Sequence, residues 1–73
     1  MTREQFAFEE LDARRAEDAM FPVPPEPDSK DWPAYARARR DRAGRRKAMG
    51  YSRASADALV RWAEAQDACI HLK

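Results

Sequence analysis

All five prolines of this chain lie between residues 21 and 33, in the segment FPVPPEPDSKDWP. Each proline fixes its own φ angle, lacks a backbone N–H and biases the residue before it towards an extended conformation. These restrictions exclude a helix and a central strand from the segment. We therefore expect an extended, semi-rigid connector with polyproline II character, and regular structure only on either side of it.

The connector has two functional interpretations. Pro22 with Pro25, and Pro24 with Pro27, fit the P-x-x-P pattern that SH3-type domains bind. The pattern is common in proline-rich segments, so we favour a structural role in which apolar side chains hold the connector across the helices. These apolar side chains are Phe21, Val23 and Trp32.

The segment before the connector is predicted to be an acidic helix over residues 1–20, with its helical part from Arg3 to Met20. Residues TREQ at positions 2–5 match the capping box, in which the side chains of Thr2 and Gln5 each accept a hydrogen bond from the other residue's backbone N–H. Its apolar residues form two strips, with Phe8, Leu11 and Ala19 on one and Phe6, Ala13 and Met20 on the other.

Two further helices are predicted after the connector. The second is an arginine-rich helix over residues 33–49, with Asp31 as its N-cap, Pro33 in its first turn and Gly50 just past its end. The third lies within an amphipathic segment over residues 52–73 and runs near 54–70, capped by Ser52 or Ser55. We expect the core to bring the third helix against the first, through Leu59, Trp62, Ala63 and Ile70 packed on Phe8 and Leu11, with Cys69 as a small core residue.

These elements predict one all-α domain over residues 1–73, a small three-helix protein with the proline-rich connector between its first two helices. No segment alternates apolar and polar residues as a strand would. The apolar fraction is 44%, but 15 of those residues are alanines, which bury little area each. A chain this short with so thin a core is expected to gain part of its stability from self-association or from a larger complex.

Charge is segregated along the chain although the net charge is only +1. Residues 1–31 carry four basic and nine acidic side chains, whereas residues 32–53 carry eight basic and one acidic. The acidic and basic segments can therefore pair with each other, or the basic segment can face an acidic partner. We expect Arg39, Arg42 and Arg46 to form weak surface pairs with acids of the first helix, namely Glu9, Glu10, Asp12 and Glu17.

The remaining cations suggest a binding surface. Arginine binds phosphate with two parallel hydrogen bonds and stacks on bases, and flanking tyrosines provide further stacking surfaces. We predict that an acidic partner, above all nucleic acid, binds through Arg37, Arg40, Arg45, Arg46, Lys47, Arg53, Tyr35 and Tyr51. The alternatives are a solvated face without a partner, or a module that binds an acidic protein surface: an adaptor, an accessory subunit or a phage-type inhibitor of a host machine.

The stretch AMGYSRASADAL, residues 48–59, resembles the turn and second helix of a helix-turn-helix. Its GYS turn is also similar to the turn in some phage terminase small subunits. The resemblance implies that Arg53 and Ser55 lie near the start of a recognition helix, where contacts to bases occur. The chain departs from the pattern at Arg45 and Arg46, where the motif has an apolar residue and a small one.

The sequence favours no catalytic or metal chemistry. His71 is the only histidine, and its spacing of two from Cys69 points the two side chains in different directions on a helix. Neither Gly44 nor Gly50 belongs to a phosphate-cradling G-x-x-x-x-G-K motif. We expect a non-enzymatic protein without cofactor or metal, without a membrane span or signal peptide, and located in the cytoplasm, where a lone cysteine stays reduced.

Overall fold

The fold was analysed in a computed structural model, which describes residues 1–71 and the side chains of residues 1–69. Over these residues the chain forms three helices and no strand, so the all-α prediction is confirmed. The helices are α1 (Arg3–Met20), α2 (Trp32–Ala48) and α3 (Arg53–His71). The predicted bounds hold to within one residue at every end, although Asp31 takes the N-cap position of α2 without a side-chain cap hydrogen bond.

The capping box at the start of α1 forms as predicted. Thr2 Oγ1 accepts from the N–H of Gln5 at 3.1 Å, and Gln5 Oε1 accepts from the N–H of Thr2 at 2.8 Å. At the other end, the N–H of Phe21 donates to the carbonyl oxygen of Glu17 at 2.8 Å, and the helix stops where the prolines begin. Helix α1 is thus delimited by its own sequence at both ends.

Residues 21–31 contain neither helix nor strand and include hydrogen-bonded turns near the start of α2. The ring of Phe21 lies edge-on to the ring of Tyr35, with centroids 5.4 Å apart. The prediction that Val23 also holds this segment to the helices is wrong, because its side chain is 78% exposed. The aromatic contact that ties this segment to a helix lies at its start, where Phe21 meets Tyr35 of α2.

The turn between α2 and α3 satisfies the last carbonyl groups of α2 through a Schellman motif. Gly50 adopts φ = 75°, which L side chains rarely adopt. Its N–H donates to the carbonyl of Lys47 at 3.0 Å, and the N–H of Tyr51 donates to the carbonyl of Arg46 at 3.1 Å. Ser52 then caps α3, because its Oγ accepts from the N–H of Ser55 at 3.1 Å.

The apolar core lies almost entirely between α1 and α3. Its fully buried apolar side chains come from these two helices only: Phe6, Ala7, Leu11, Ala56, Val60 and Ala63. Alanine on both helices lets the two backbones approach closely, so little space remains for large side chains. The core is consequently narrow.

The core uses a different face of α3 from the one predicted. Ala63 and Leu11 are buried as expected, but Leu59 is only half-buried and packs at the margin. Trp62 is 40% exposed and Phe8 36% exposed, because a face built on alanines cannot admit an indole. Cys69 is exposed, contrary to its predicted core position, and the side chain of Ile70 lies outside the described residues.

Helix α2 buries none of its residues. Helices α2 and α3 each pack mainly against α1 and make few contacts with one another. The radius of gyration is 13.6 Å, whereas a compact chain of this length has about 11 Å. The fold is therefore an α1–α3 pair with α2 attached along α1 by interactions other than apolar burial.

The two glycines of the α2 region provide a matched test of this geometry. A Cβ on Gly44 would meet open space within a helix, so Gly44→Ala should stabilise the fold by about 0.8–1 kcal/mol through helix propensity. Gly50→Ala places a Cβ at positive φ and should destabilise it by about 1–2 kcal/mol. Urea denaturation followed by circular dichroism measures both, and shifts of equal sign would contradict the assigned turn.

Candidate functional site

Arg42 joins α2 to α1 through two short hydrogen bonds. Its Nε donates to Oε1 of Glu10 at 2.7 Å, and its Nη1 donates to Oε2 of Glu17 at 2.7 Å. The side chain of Glu10 is only 2% exposed, so the contact is largely shielded from water. Burial disfavours the charged form of Arg42, but the hydrogen bonds to Glu17 and Glu10 outweigh that effect and raise its pKa.

Further arginines surround the same two carboxylates. Arg14 Nε lies 3.6 Å and Arg45 Nη1 3.8 Å from Glu10, and both nitrogens are buried without a hydrogen bond. Arg39 Nη1 lies 3.5 Å from Glu17 with its side chain 54% exposed. We call this group the ion-pair cluster; it consists of Glu10, Glu17, Arg14, Arg39, Arg42 and Arg45.

The ion-pair cluster corrects two expectations. The pairs of Arg42 were expected at the surface, and they are instead buried against the α1–α3 core. Arg45 was expected to face outward, but its side chain is only 28% exposed. It points towards the buried carboxylate of Glu10, which attracts its guanidinium group. Arg46 was expected to pair with an acid of α1; its Nη1 donates to the backbone oxygen of Tyr51 at 3.0 Å.

The two predicted stacking tyrosines already have aromatic neighbours inside the chain. The ring of Tyr51 lies edge-on to Phe6 with centroids 5.0 Å apart. Tyr35 lies between Phe21 and Trp32, and the guanidinium carbon of Arg39 is 5.6 Å from its ring centroid. Both tyrosines are half-buried, so a nucleic-acid base has only part of each ring available.

Four predicted site residues are exposed and make no ion pair or side-chain hydrogen bond with the described residues. They are Arg37, Arg40, Lys47 and Arg53. By helical spacing, the first three lie on the part of α2 that does not carry Arg42 and Arg45, with Arg40 at the edge of that part, and they span an axial rise of about 15 Å. We call these three the outer basic face. Gly44 lies among them and leaves open space at the centre.

A groove of about 570 Å³ lies where the three helices meet. Arg14 donates to Oδ1 of Asp57 at 2.7 Å across its floor, and this hydrogen bond lowers the pKa of Asp57. Arg40 from α2 and Arg53 from the first turn of α3 both line it. Its other charged lining residues are Glu10, Glu17, Asp18, Arg39, Arg42 and Arg46.

A second, smaller and mainly apolar pocket of about 230 Å³ lies between α1 and α3. Leu59 and Trp62 line it, with Arg3 and Glu4 at its edge. Trp62 also packs edge-on against Phe8, with ring centroids 5.6 Å apart. This apolar surface comes from the side chains that the sequence had assigned to the core.

The α2–turn–α3 unit differs from a helix-turn-helix in its packing. In that motif the second helix packs on the first, whereas α3 packs on α1. The turn at Gly50 and the start of α3 at Arg53 are nevertheless where the resemblance places them. Arg53 and Ser55 are both exposed at that helix start.

Sequence reasoning missed the buried acids of α1. Glu10 and Glu17 were expected to form surface pairs, but they lie on the same helical strip as Phe6 and Ala13 and are buried there. Two acids seven residues apart on an apolar strip lie two turns apart on one face. This spacing in the sequence could have indicated that a basic helix packs against both acids.

Neither a metal site nor a membrane span is found in the described part of the chain. No three histidine, cysteine or carboxylate side chains converge there, and the side chain of His71 lies outside it. No helix among residues 1–71 is both long enough and apolar enough to cross a membrane. No family model, curated protein or solved structure matches the chain.

Arg42→Leu should test whether the buried pair holds α2 to α1. Removing one partner of a buried pair costs about 3–5 kcal/mol because the remaining charge stays desolvated. We expect loss of cooperative unfolding in a domain this small, measured by thermal denaturation. Arg39→Ala is the control, since the Arg39 side chain is 54% exposed and its 3.5 Å contact with Glu17 is expected to contribute only about 0–1 kcal/mol. Equal effects of the two variants would contradict this assignment.

Proposed function

We propose that this chain is a small, non-enzymatic binding protein that docks nucleic acid through the outer basic face of α2 together with Arg53. The observation that carries the proposal is the division of the arginines. Arg39, Arg42 and Arg45 contact acids of α1, whereas the outer basic face makes no such contact with the described residues. Its charge is therefore not needed to hold α2 to α1.

The outer basic face keeps a net positive charge although one acid lies beside it. Arg37 and Arg40, three residues apart, repel each other by about 0.2–0.5 kcal/mol, and the exposed Asp41, four residues after Arg37, offsets this by a similar amount. Three cations and one acid leave a local charge of +2, which attracts an anionic partner.

The shape of α2 suits a duplex. An α-helix with its side chains is about 10–12 Å across, close to the width of the DNA major groove at about 12 Å. Because α2 buries none of its residues, it can present its outer side without disturbing the α1–α3 core. Guanidinium groups then contact phosphates along the backbone, and these contacts position the protein without reading sequence.

Two finer features belong to this proposal. We take residues 21–33 to be an extended connector whose prolines limit how far α2 moves from α1. We also place the protein in the cytoplasm, since its single cysteine is exposed and remains a free thiol in a reducing compartment.

The variant Arg37→Ala with Lys47→Ala tests the outer basic face. Both side chains are exposed and alanine favours helix, so the fold should persist. We expect weaker binding to a fluorescein-labelled DNA duplex and a salt slope lower by about two units, because roughly one counterion is released per phosphate contact. Fluorescence anisotropy at several salt concentrations measures both quantities.

The matched control for that test is Arg3→Ala with Arg61→Ala, which removes the same charge from exposed positions on α1 and α3. It should change the salt slope far less. Equal slopes for the two double variants, or no salt-dependent binding by the unmodified chain, would rule out the outer basic face as a nucleic-acid surface.

A second candidate function is a protein-binding module, such as an adaptor, an accessory subunit or a phage-type inhibitor of a host machine. The exposed Phe8–Trp62 pair beside the apolar pocket favours it. Aromatic side chains that are partly desolvated and adjoin a pocket are typical anchors of protein interfaces. This surface lies on α1 and α3 and shares no residue with the outer basic face.

A photo-crosslinking amino acid placed at Trp62 tests the second candidate in cells that express the chain. We expect one discrete polypeptide adduct at this position, because a side chain that anchors an interface touches its partner directly. The same amino acid at Arg61, the exposed neighbour, is the control and should give none. Identical adduct patterns at both positions would exclude Trp62 as an anchor.

A further inference from the structure

We infer that the groove between the three helices is a phosphodiester-binding site, in which Arg40 and Arg53 clamp one phosphate of the nucleic-acid backbone from opposite walls. The inference rests on the proposed function and specifies a site within it. Arg40 belongs both to the outer basic face and to the groove, so a backbone that follows this face reaches the groove at Arg40.

Most charges in the groove are already neutralised within the protein. Glu10 and Glu17 accept hydrogen bonds from Arg42, and Asp57 accepts one from Arg14. These pairs form a floor that carries little free charge. The charges among the lining residues that no opposite charge contacts are then the cations Arg40, Arg46 and Arg53 and the anion Asp18, and of these cations Arg46 is held by the backbone oxygen of Tyr51.

The geometry and chemistry of the walls fit a phosphate. Arg40 approaches from α2 and Arg53 from the first turn of α3, where the positive end of the helix macrodipole adds to the potential. Arg46 also lines the groove, and its hydrogen bond to the oxygen of Tyr51 holds its guanidinium in place. Planar guanidinium groups bind phosphate oxygens in pairs, which a compact ammonium group does not.

Substitution of Asp18 provides a test whose expected result is stronger binding, and loss of folding cannot produce that result. It is an exposed carboxylate that lines the groove, and it repels an incoming phosphate. Asp18→Asn should therefore strengthen binding to the labelled DNA duplex roughly threefold, the effect of one unit charge at about 7 Å in water. Asp12→Asn is the matched control: Asp12 is exposed on the same helix and does not line the groove, so the change in net charge is the same.

A double-mutant cycle tests the clamp itself. If Arg40 and Arg53 hold one phosphate, the loss caused by both alanine substitutions together should be smaller than the product of the two separate losses. Arg37→Ala combined with Arg53→Ala should be multiplicative, since Arg37 does not line the groove. Circular dichroism spectra identical to that of the unmodified chain verify that each variant is folded.

The outcomes separate this inference from the proposed function. A gain for Asp18→Asn over Asp12→Asn together with non-multiplicative losses at Arg40 and Arg53 supports the clamp. Equal effects of the two asparagine variants with multiplicative losses would overturn the groove site, while the outer basic face stands if Arg37→Ala with Lys47→Ala still weakens binding. Absence of any binding to the duplex by the unmodified chain would overturn both.

Discussion

The contact of Arg42 with Glu10 and Glu17 holds α2 against α1, and the three-helix arrangement depends on it. Helix α2 buries no residue, so apolar burial contributes little to its position. A guanidinium that reaches two carboxylates two turns apart fixes both the distance and the register of α2 along α1. Because Glu10 is almost fully buried, its charge has to be matched in the folded state, and only the arginines of α1 and α2 do so. The buried acid of α1 therefore requires the arginines of α2 to balance its charge.

Local signals in the sequence were sufficient to predict the helices but not the faces on which they meet. The capping box at Thr2, the prolines and Gly50 each act within a few residues, so the element ends follow from them directly. The choice between Leu59 and Val60 as the buried residue depends on how closely α1 approaches α3, which the alanines of both helices decide together. Hydrophobicity alone favoured Trp62 for the core, and its volume is the reason it lies at the margin.

The arginines between residues 37 and 53 fall into two groups: those that contact other parts of the chain and those that are exposed without such contacts. Arg42 and Arg45 face the carboxylates of α1, and Arg46 holds the turn that leads to α3. The sequence assigned Arg42 correctly to acids of α1, but it misplaced Arg45 and Arg46, because a helix that is basic on all sides gives little pattern from which to read its inner face. Arg37 and Arg40 are exposed, as expected, and neither forms an ion pair with an acid of α1, although Arg40 lies at the groove that those acids line.

The two groups of arginines respond differently to ionic strength, and this difference links the fold to the proposed function. Charges on the outer basic face are surrounded by solvent, where salt at 0.1 M screens interactions beyond about 10 Å. The contacts of Arg42 with Glu10 and Glu17 are largely shielded from water and are screened much less. Salt can therefore release an anionic partner from α2 without releasing α2 from α1. The carboxylates of Glu10 and Glu17 also occupy Arg42 as phosphate oxygens would, so this inner arginine is unavailable to a partner, and the proposed binding surface consists of cations that make no ion pair within the described residues.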